Sequence, residues 1–445
     1  MSLVDSLPET TDVLIVGAGP VGLALALSLQ DQGCADVTVV DSILQGENTS
    51  RALVVHAATL EALENIDCAD ALIEAGYLTT AISIWTGKSF IHPAAFDALA
   101  PYTKYPFVLV VPQHITESVL GAKVRERGIN VFRPHKVVDL KPNERDNQIT
   151  DVIFEDGKVI HARCVVGADG VKSTVRQIAG VGWADPDGEN IDETGQILSQ
   201  MVMADVVFDG PLPFSHDSVI GILSRNNLFL SGSRIRSVCL RNAPSTEYLQ
   251  SLVDAWGPNN MKVSFEDSPK VTISKNLWST RFRTHSAIAD TFFTRLGANT
   301  PVSEEPSSEG GVILLLGDAA HIHSPAGGQG MNLGIRDAIS LGPILAEYIL
   351  PSGVTLGDPD SPLRTWATAR RERALGIIRL TKQILSLMSM QDETTKVLGF
   401  IPINYASIRN AVMGFITKSR WVRMMLSWRL SGLGNSHIVL LFYVL

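Results

Sequence analysis

Residues 12–41 read DVLIVGAGPVGLALALSLQDQGCADVTVVD. Asp12 to Val16 is an apolar, β-branched run, GAGPVG follows it, and Leu23 to Leu29 is apolar again. A second β-branched run spans Val37 to Asp41. The order is strand, tight turn, helix, strand, which is the context that gives a GxGxxG pattern meaning. Gly17 permits the turn, Gly19 lets backbone approach a pyrophosphate, and Gly22 lets the helix pack on the strand. The helix N-terminus offers unpaired N–H groups and roughly half a positive charge to an anion. Asp41 stands nineteen residues after Gly22. A carboxylate there accepts hydrogen bonds from ribose hydroxyls and repels a 2′-phosphate, which favours FAD or NAD(H) over NADP(H).

Two later segments decide between those ligands. Cys164 to Gly180, CVVGADGVKSTVRQIAG, reads as a strand ending at Asp169-Gly170, with a helix opening at Ser173 as N-cap. Val312 to Ile349 begins VILLLGDAAHIHSPAGGQGMNLGIRDA: a strand ending at Gly317-Asp318, a glycine-rich loop, then a long helix from about Gly330. Asp318 is placed to accept from a sugar hydroxyl, and the loop aims backbone N–H groups at an anionic or carbonyl ligand. A nicotinamide alone needs no second loop so far downstream, whereas a long cofactor lying across the sheet does. FAD is therefore the expected ligand.

Composition narrows the class. The chain has 445 residues, 45% hydrophobic and 19% charged, enough for two domains or one elaborated α/β domain. A net charge of −9 argues against nucleic acid as main partner. Cys34, Cys68, Cys164 and Cys239 show no metal-ligand spacing and read as free thiols in a reducing, cytoplasmic compartment. Two acidic residues and no basic flank precede the first apolar run, so no secretory signal is expected. His437 to Leu445, HIVLLFYVL, holds eight apolar residues in a row, well short of the roughly 20 a span requires, so no stable membrane insertion is expected.

GAGPVGLALA, SRALVVHAATLEAL, GADGVKSTVR and GDAAHIHSPAGGQGMNLGIRDA, in this order, resemble the motifs of p-hydroxybenzoate hydroxylase-like (group A) flavin monooxygenases, nearest to the phenol and polyketide hydroxylases. The resemblance runs from about residue 10 to about residue 390, and its third glycine motif is the most specific part. It implies an α/β protein. A Rossmann-like, GR2-type FAD-binding domain spans 10–190 and 291–390, and a mainly antiparallel β substrate domain is inserted at 191–290, with 80–112 joining it. Residues 391–445 form a C-terminal helical region. It also implies site roles: Gly17, Gly19 and Gly22 at the pyrophosphate, Asp41 at the adenosine ribose, Arg51 beside the phosphates, and Gln113 near the ribityl chain. Asp169 belongs to a motif for FAD and NAD(P)H handling, and Asp318 to the ribityl site. Pro325 to Asn332, including Gly328, Gly330 and Met331, would wrap the isoalloxazine. The implied reaction uses NAD(P)H as transient co-substrate and O₂, through a C4a-hydroperoxyflavin, on an aromatic or electron-rich small molecule. No substrate-activating residue is identified. An epoxidase, a Baeyer–Villiger oxygenase, a flavin dehydrogenase without oxygen transfer and a flavin-binding regulator remain alternatives. No oligomeric state is legible; a homodimer is compatible with the reading.

Ser324-Pro325 departs from the Pro-Pro frequent in relatives, and Leu341-Gly342-Pro343 interrupts the last motif's helix, where Pro343 predicts a kink. His321 and His323 form an H-x-H pair beside Asp318, read as part of the loop with no metal. Arg370, Arg371 and Arg373 read as a solvated or salt-bridged helix face. Arg234 and Arg236 read as solvent-facing on a strand, and Trp278 to His285 as an ordinary strand with buried aromatics.

Overall fold

The computed structural model describes residues 6–44, 52–87, 89–188, 200–209, 218–224, 227–231, 244–261, 270–283, 285–297, 310–325, 327–351, 357–388, 394–397 and 401–435. The fold is mixed α/β. Its principal sheet is built on four parallel strands, β1 (Thr10–Val16), β2 (Val37–Val40), β3 (Val159–Gly167) and β4 (Val312–Leu315), lying side by side in the order β4, β3, β1, β2. Short strands at 293–295 and 131–132 extend the two edges, and strands 150–154 and 137–142 run back antiparallel from β3. All four residues of β4 are buried, as are the last four of β1 and the last three of β2. Continuous Val, Ile and Leu runs suit this position, because a parallel sheet has no wet face.

Register makes the strand ends meet. Val16 pairs with Val40 and with Gly167, and Gly167 pairs with Leu315. Gly17, Asp41, Ala168 and Leu316 therefore leave the sheet along one edge.

Helix α1 (Pro20–Asp31) follows β1 and buries nine of its residues. Helix α2 (Thr174–Ile178) follows β3; its N-cap is Ser173, whose Oγ accepts from the Arg176 N–H, as the sequence predicts. Helix α3 (Gly330–Ile349) runs unbroken through Pro343 and packs on α1. At their crossing a Cβ on Gly342 would stand 2.1 Å from Ser28 Oγ, so only glycine admits this approach. The proline leaves the Ile339 carbonyl without its usual i+4 donor. Ser28 Oγ donates to that carbonyl at 2.9 Å.

A second layer joins distant segments. Strands Ala81–Trp85 and Phe90–Ala95 form one four-stranded sheet with Ser218–Ser224 and Asn227–Ser231; the 81–85/218–224 pair is parallel and the others antiparallel. Strand 108–110 pairs instead with 54–55 and 77–79. Gln200–Asp209 and Thr272–Arg283 form a long antiparallel ribbon, on which Trp278 is buried and Arg281 stacks over Tyr248. Arg234, Arg236, Cys239 and the Pro/Ser loop 299–309 lie outside the described residues. Helix α4 (Ser361–Met388) carries Arg370, 3.5 Å from Asp337, and Arg371, which donates to the Ala289 carbonyl. These arginines are half-buried and partnered. Within the expected C-terminal helical region, residues 394–397 and 401–404 instead pair as antiparallel strands, and α5 (Tyr405–Ile416) and α6 (Arg420–Leu430) follow them. Among the described residues no helix is long and apolar enough to cross a membrane. Cys34, Cys68 and Cys164 are buried free thiols.

Candidate functional site

The edge where the parallel strands end brings three segments together, and the glycines there are fixed by contact. Gly17 has φ +110°, and a Cβ on it would lie 2.3 Å from the Ala168 carbonyl oxygen, so the first and second motifs touch through bare backbone. A Cβ on Gly22 would lie 1.9 Å from the Gly17 oxygen. Gly317, at φ +56°, would meet Val21 at 2.9 Å, which joins the third motif to α1. Gly19 differs: a Cβ there would meet nothing within 4 Å, and its φ is negative. Sterics inside the protein demand glycine at Gly17 and Gly22 but not at Gly19.

Asp41 closes this edge. Its Oδ2 accepts from the Ala18 N–H at 2.7 Å and its Oδ1 from the Ile43 N–H at 3.1 Å. Arg133 donates to the Ala18 carbonyl at 2.8 Å and stands 3.7 Å from the Asp41 carboxylate. Gln113 opens the helix Gln113–Glu126 and donates to Glu117, whose carboxyl is pushed up by burial. Arg133 and Glu117 went unread in the sequence, because nothing in their spacing links them to Asp41. Arg51 lies outside the described residues.

Asp169 works for its own loop. Its Oδ2 accepts from the N–H groups of Thr174 and Val175, while Oδ1 is buried with no hydrogen-bond partner among the described residues. Burial pushes its carboxyl up, against the hydrogen bonds from Ser173 and the α2 backbone. Arg176, within the second motif, stacks 3.9 Å from the Trp183 ring centre and donates to the Ala319 carbonyl, tying the second motif to the third. Asp318 is placed otherwise. From Gly310 to His321 every residue is buried except Asp318.

The loop after Asp318 is held from two sides. His321 Nε2 lies 3.1 Å from Asp337 on α3, with both side chains buried. His56 donates from Nε2 to the Gly327 carbonyl at 2.8 Å, since a carbonyl can only accept. The Asn332 side chain accepts from the His56 N–H and donates to the carbonyls of Val54 and Gly328. Gly328, at φ +63°, would drive a Cβ to within 2.0 Å of Val54. Gln329 donates to Leu430, so the C-terminal helices brace the loop from behind. Burial lowers the pKa of both His56 and His323 to about 4 and holds both rings neutral. Pro325 and Met331 are half-buried on the same turn.

The residues fit a dinucleotide bearing a pyrophosphate, sugar hydroxyls and a polar ring. Helices α1 and α3 have no side-chain cap, a feature they share with the helices at 57–64, 69–75 and 113–126. The first N–H groups of a helix need external partners. His56 Nδ1, His323 Nε2 and Gln329 Oε1 are buried acceptors without a donor among the described residues, and all three lie on or against the loop. No group of three or more His, Cys, Asp or Glu side chains among the described residues could hold a metal ion.

Comparison with known proteins agrees with this chemistry. The chain is 29% identical over 384 residues to the rifampicin monooxygenase of Streptomyces venezuelae, covering 85% of this chain and 72% of that protein. It is 29% identical over 373 residues to the 12-dehydrotetracycline 5-monooxygenase/anhydrotetracycline 6-monooxygenase of Streptomyces rimosus, covering 83% and 68%. Among solved structures, p-nitrophenol 4-monooxygenase from Pseudomonas putida superimposes with a TM-score of 0.70 at 19% identity, covering 96% of this chain and 98% of that one, which establishes likeness of fold. The model of the FAD binding domain family matches residues 10–375, and the chain belongs to that family.

Proposed function

We propose that this protein is an FAD-dependent monooxygenase that uses NAD(P)H and O₂ to hydroxylate a phenolic or polyketide-like aromatic molecule. The observation that carries the reading is the meeting of Gly17, Ala168-Asp169 and Gly317 at one sheet edge, in front of an uncapped α3. The relatives named for rifampicin and anhydrotetracycline, and the fold neighbour named for p-nitrophenol, support the substrate class.

Gly17, Gly19 and Gly22 with the α1 N-terminus would hold the pyrophosphate, Asp41 the adenosine ribose and Asp318 the ribityl chain. Arg51 and Gln113 would lie beside the cofactor. Asp169 would act through the loop whose backbone it fixes. Pro325, Gly328, Gly330, Met331 and Asn332 would enclose the flavin ring, Asn332 through its backbone because its side chain is already engaged. We assign a Rossmann-like, GR2-type FAD-binding domain to 10–190 and 291–390, a substrate domain to 191–290 and a C-terminal region, with its strand pair and the helices α5 and α6, to 391–445. The pairing of 81–95 with 218–231 supports adding the first part of 80–112 to the substrate domain.

Bound FAD supplies the electrons and the activation of O₂ on which hydroxylation depends. The chain's own contribution is positional. The N–H groups of Gly330, Met331 and Asn332, at the positive end of α3, favour negative charge placed against them. Neutral His56 and His323 add no competing cation. The packed loop and the C-terminal helices behind it keep water from that side of the site.

Purified protein should be yellow or take up FAD, and phenolic or polyketide compounds should accelerate NAD(P)H consumption with label from isotopic O₂ in the product. A folded preparation that takes up no flavin would remove the basis of the assignment. Product formed equally well without O₂ would make it a dehydrogenase.

A further inference from the structure

Helix α5 is amphipathic in the unexpected sense, with its apolar residues facing out. Ile408, Val412, Phe415 and Ile416 are exposed, Phe415 to 76%. Their spacing of four, three and one places them on one stripe, about 12 Å long. The inner side of the helix holds Asn410, half-buried Met413 and Gly414. Arg409 donates to the Leu387 carbonyl, Asn410 to the Thr86 carbonyl, and Gly414 rests near Ile91. Single exposed apolar residues are ordinary, but a contiguous stripe of them along a surface helix marks a contact surface.

The charge around the stripe identifies what it contacts. After Glu393 the sequence contains no Asp or Glu and six cationic residues, Lys396, Arg409, Lys418, Arg420, Arg423 and Arg429, in a chain whose net charge is −9. Lys418, Arg420 and Trp421 are exposed at the turn between α5 and α6, where the stripe ends. Apolar side chains on one helix, with an interfacial tryptophan and cations at the turn that follows it, suit the headgroup boundary of an anionic bilayer. The acidic remainder of the chain is repelled by such a surface, so the same charge asymmetry orients the molecule. A second copy seated on the stripe would instead bring two acid-free cationic segments together.

We infer that the outward face of α5, with the Lys418–Trp421 turn, docks this protein peripherally on an anionic lipid surface. The contact lies on the surface and does not span it. It is independent of the flavin assignment.

The test is co-sedimentation of the full-length protein with mixed phosphatidylcholine–phosphatidylglycerol vesicles and with pure phosphatidylcholine vesicles, at low and high salt. Binding should favour the anionic vesicles by roughly tenfold or more and weaken with salt. Phe415→Asp should lower partitioning by roughly tenfold or more through its apolar contact. The paired Lys418→Glu/Arg420→Glu variant should do so through charge. Both variants should keep the wild-type melting temperature and secondary-structure spectrum. No binding to anionic vesicles at low salt would overturn the inference, as would equal binding to neutral vesicles. It would also fail if sedimentation velocity showed a wild-type dimer that Phe415→Asp converts to monomer.

Discussion

Asp318 is the exposed carboxylate in a run whose other residues, from Gly310 to His321, are all buried. Its backbone follows Gly317, which passes Val21 closely and fixes where the run leaves the strand. Asp318→Ala should therefore leave the fold intact and lower FAD affinity by roughly ten- to a hundredfold, the value of one hydrogen bond to a charged group; a flavin titration with wild-type affinity would refute this. Such a residue is legible from sequence because the motif fixes its neighbours. Asp169 was legible only in part: its place was clear, but its work as a backbone acceptor depends on burial beneath α2. Arg133 and Glu117 were not legible at all, since their relation to Asp41 arises through tertiary packing. His56 carries a pH consequence. Burial lowers its pKa to about 4, while the unfolded ring titrates near its ordinary value. The unfolded state thus binds more protons between roughly pH 6.5 and 4, so stability is full above that window and is lost as pH falls through it. The loss amounts to about 3 kcal/mol for this residue. His56→Gln, which cannot titrate, should flatten that part of the stability-versus-pH curve in denaturant unfolding; an unchanged slope would contradict the assignment.

Helix α3 shows how an element tolerates an internal proline. The sequence predicts a kink at Pro343, and the helix continues because a neighbour supplies the missing donor: Ser28 Oγ to the Ile339 carbonyl at 2.9 Å. Gly342 makes this possible by letting α1 come within reach. Neither feature could be read ahead, because the partner lies in the first βαβ unit and only the crossing geometry pairs them. Ser28→Ala leaves a buried carbonyl unsatisfied and should cost about 1–3 kcal/mol. Adding Pro343→Ala restores a backbone N–H for the same carbonyl, so the second change should recover part of that loss. Strictly additive effects in the double-mutant cycle would mean that the hydroxyl and the proline are not coupled. The hairpin at 394–404 is the contrasting case. Its strands lie inside the segment expected as a C-terminal helical region, and short apolar runs do not distinguish the two periods.

At the scale of the whole molecule, the site is made of segments separated by most of the chain. β1 carries the first glycine turn, β3 the second and β4 the third, and parallel pairing aligns their ends. Their strand-turn-helix pattern is local, which is why this part of the fold was readable; the expectation that part of 80–112 joins later strands came without a motif, and its register, Ala81–Trp85 beside Ser218–Ser224, arises only through tertiary pairing. A ligand gripping all three strand ends binds only the folded arrangement and must stabilise the entire domain by mass action. With free FAD at a hundred times its dissociation constant, the gain is about 2.7 kcal/mol, or roughly 2 °C or more in Tm for a chain of this size. The gain should rise with the logarithm of FAD concentration and should fall in parallel for Asp318→Ala, because that variant weakens binding without touching the core. Gly17→Ala should behave differently: its Cβ would meet the Ala168 carbonyl at 2.3 Å, so stability itself should drop and added flavin should recover little of it. A melt that is indifferent to flavin in the wild type, or a Gly17→Ala protein as stable as the parent, would show that the three ends do not act as one grip.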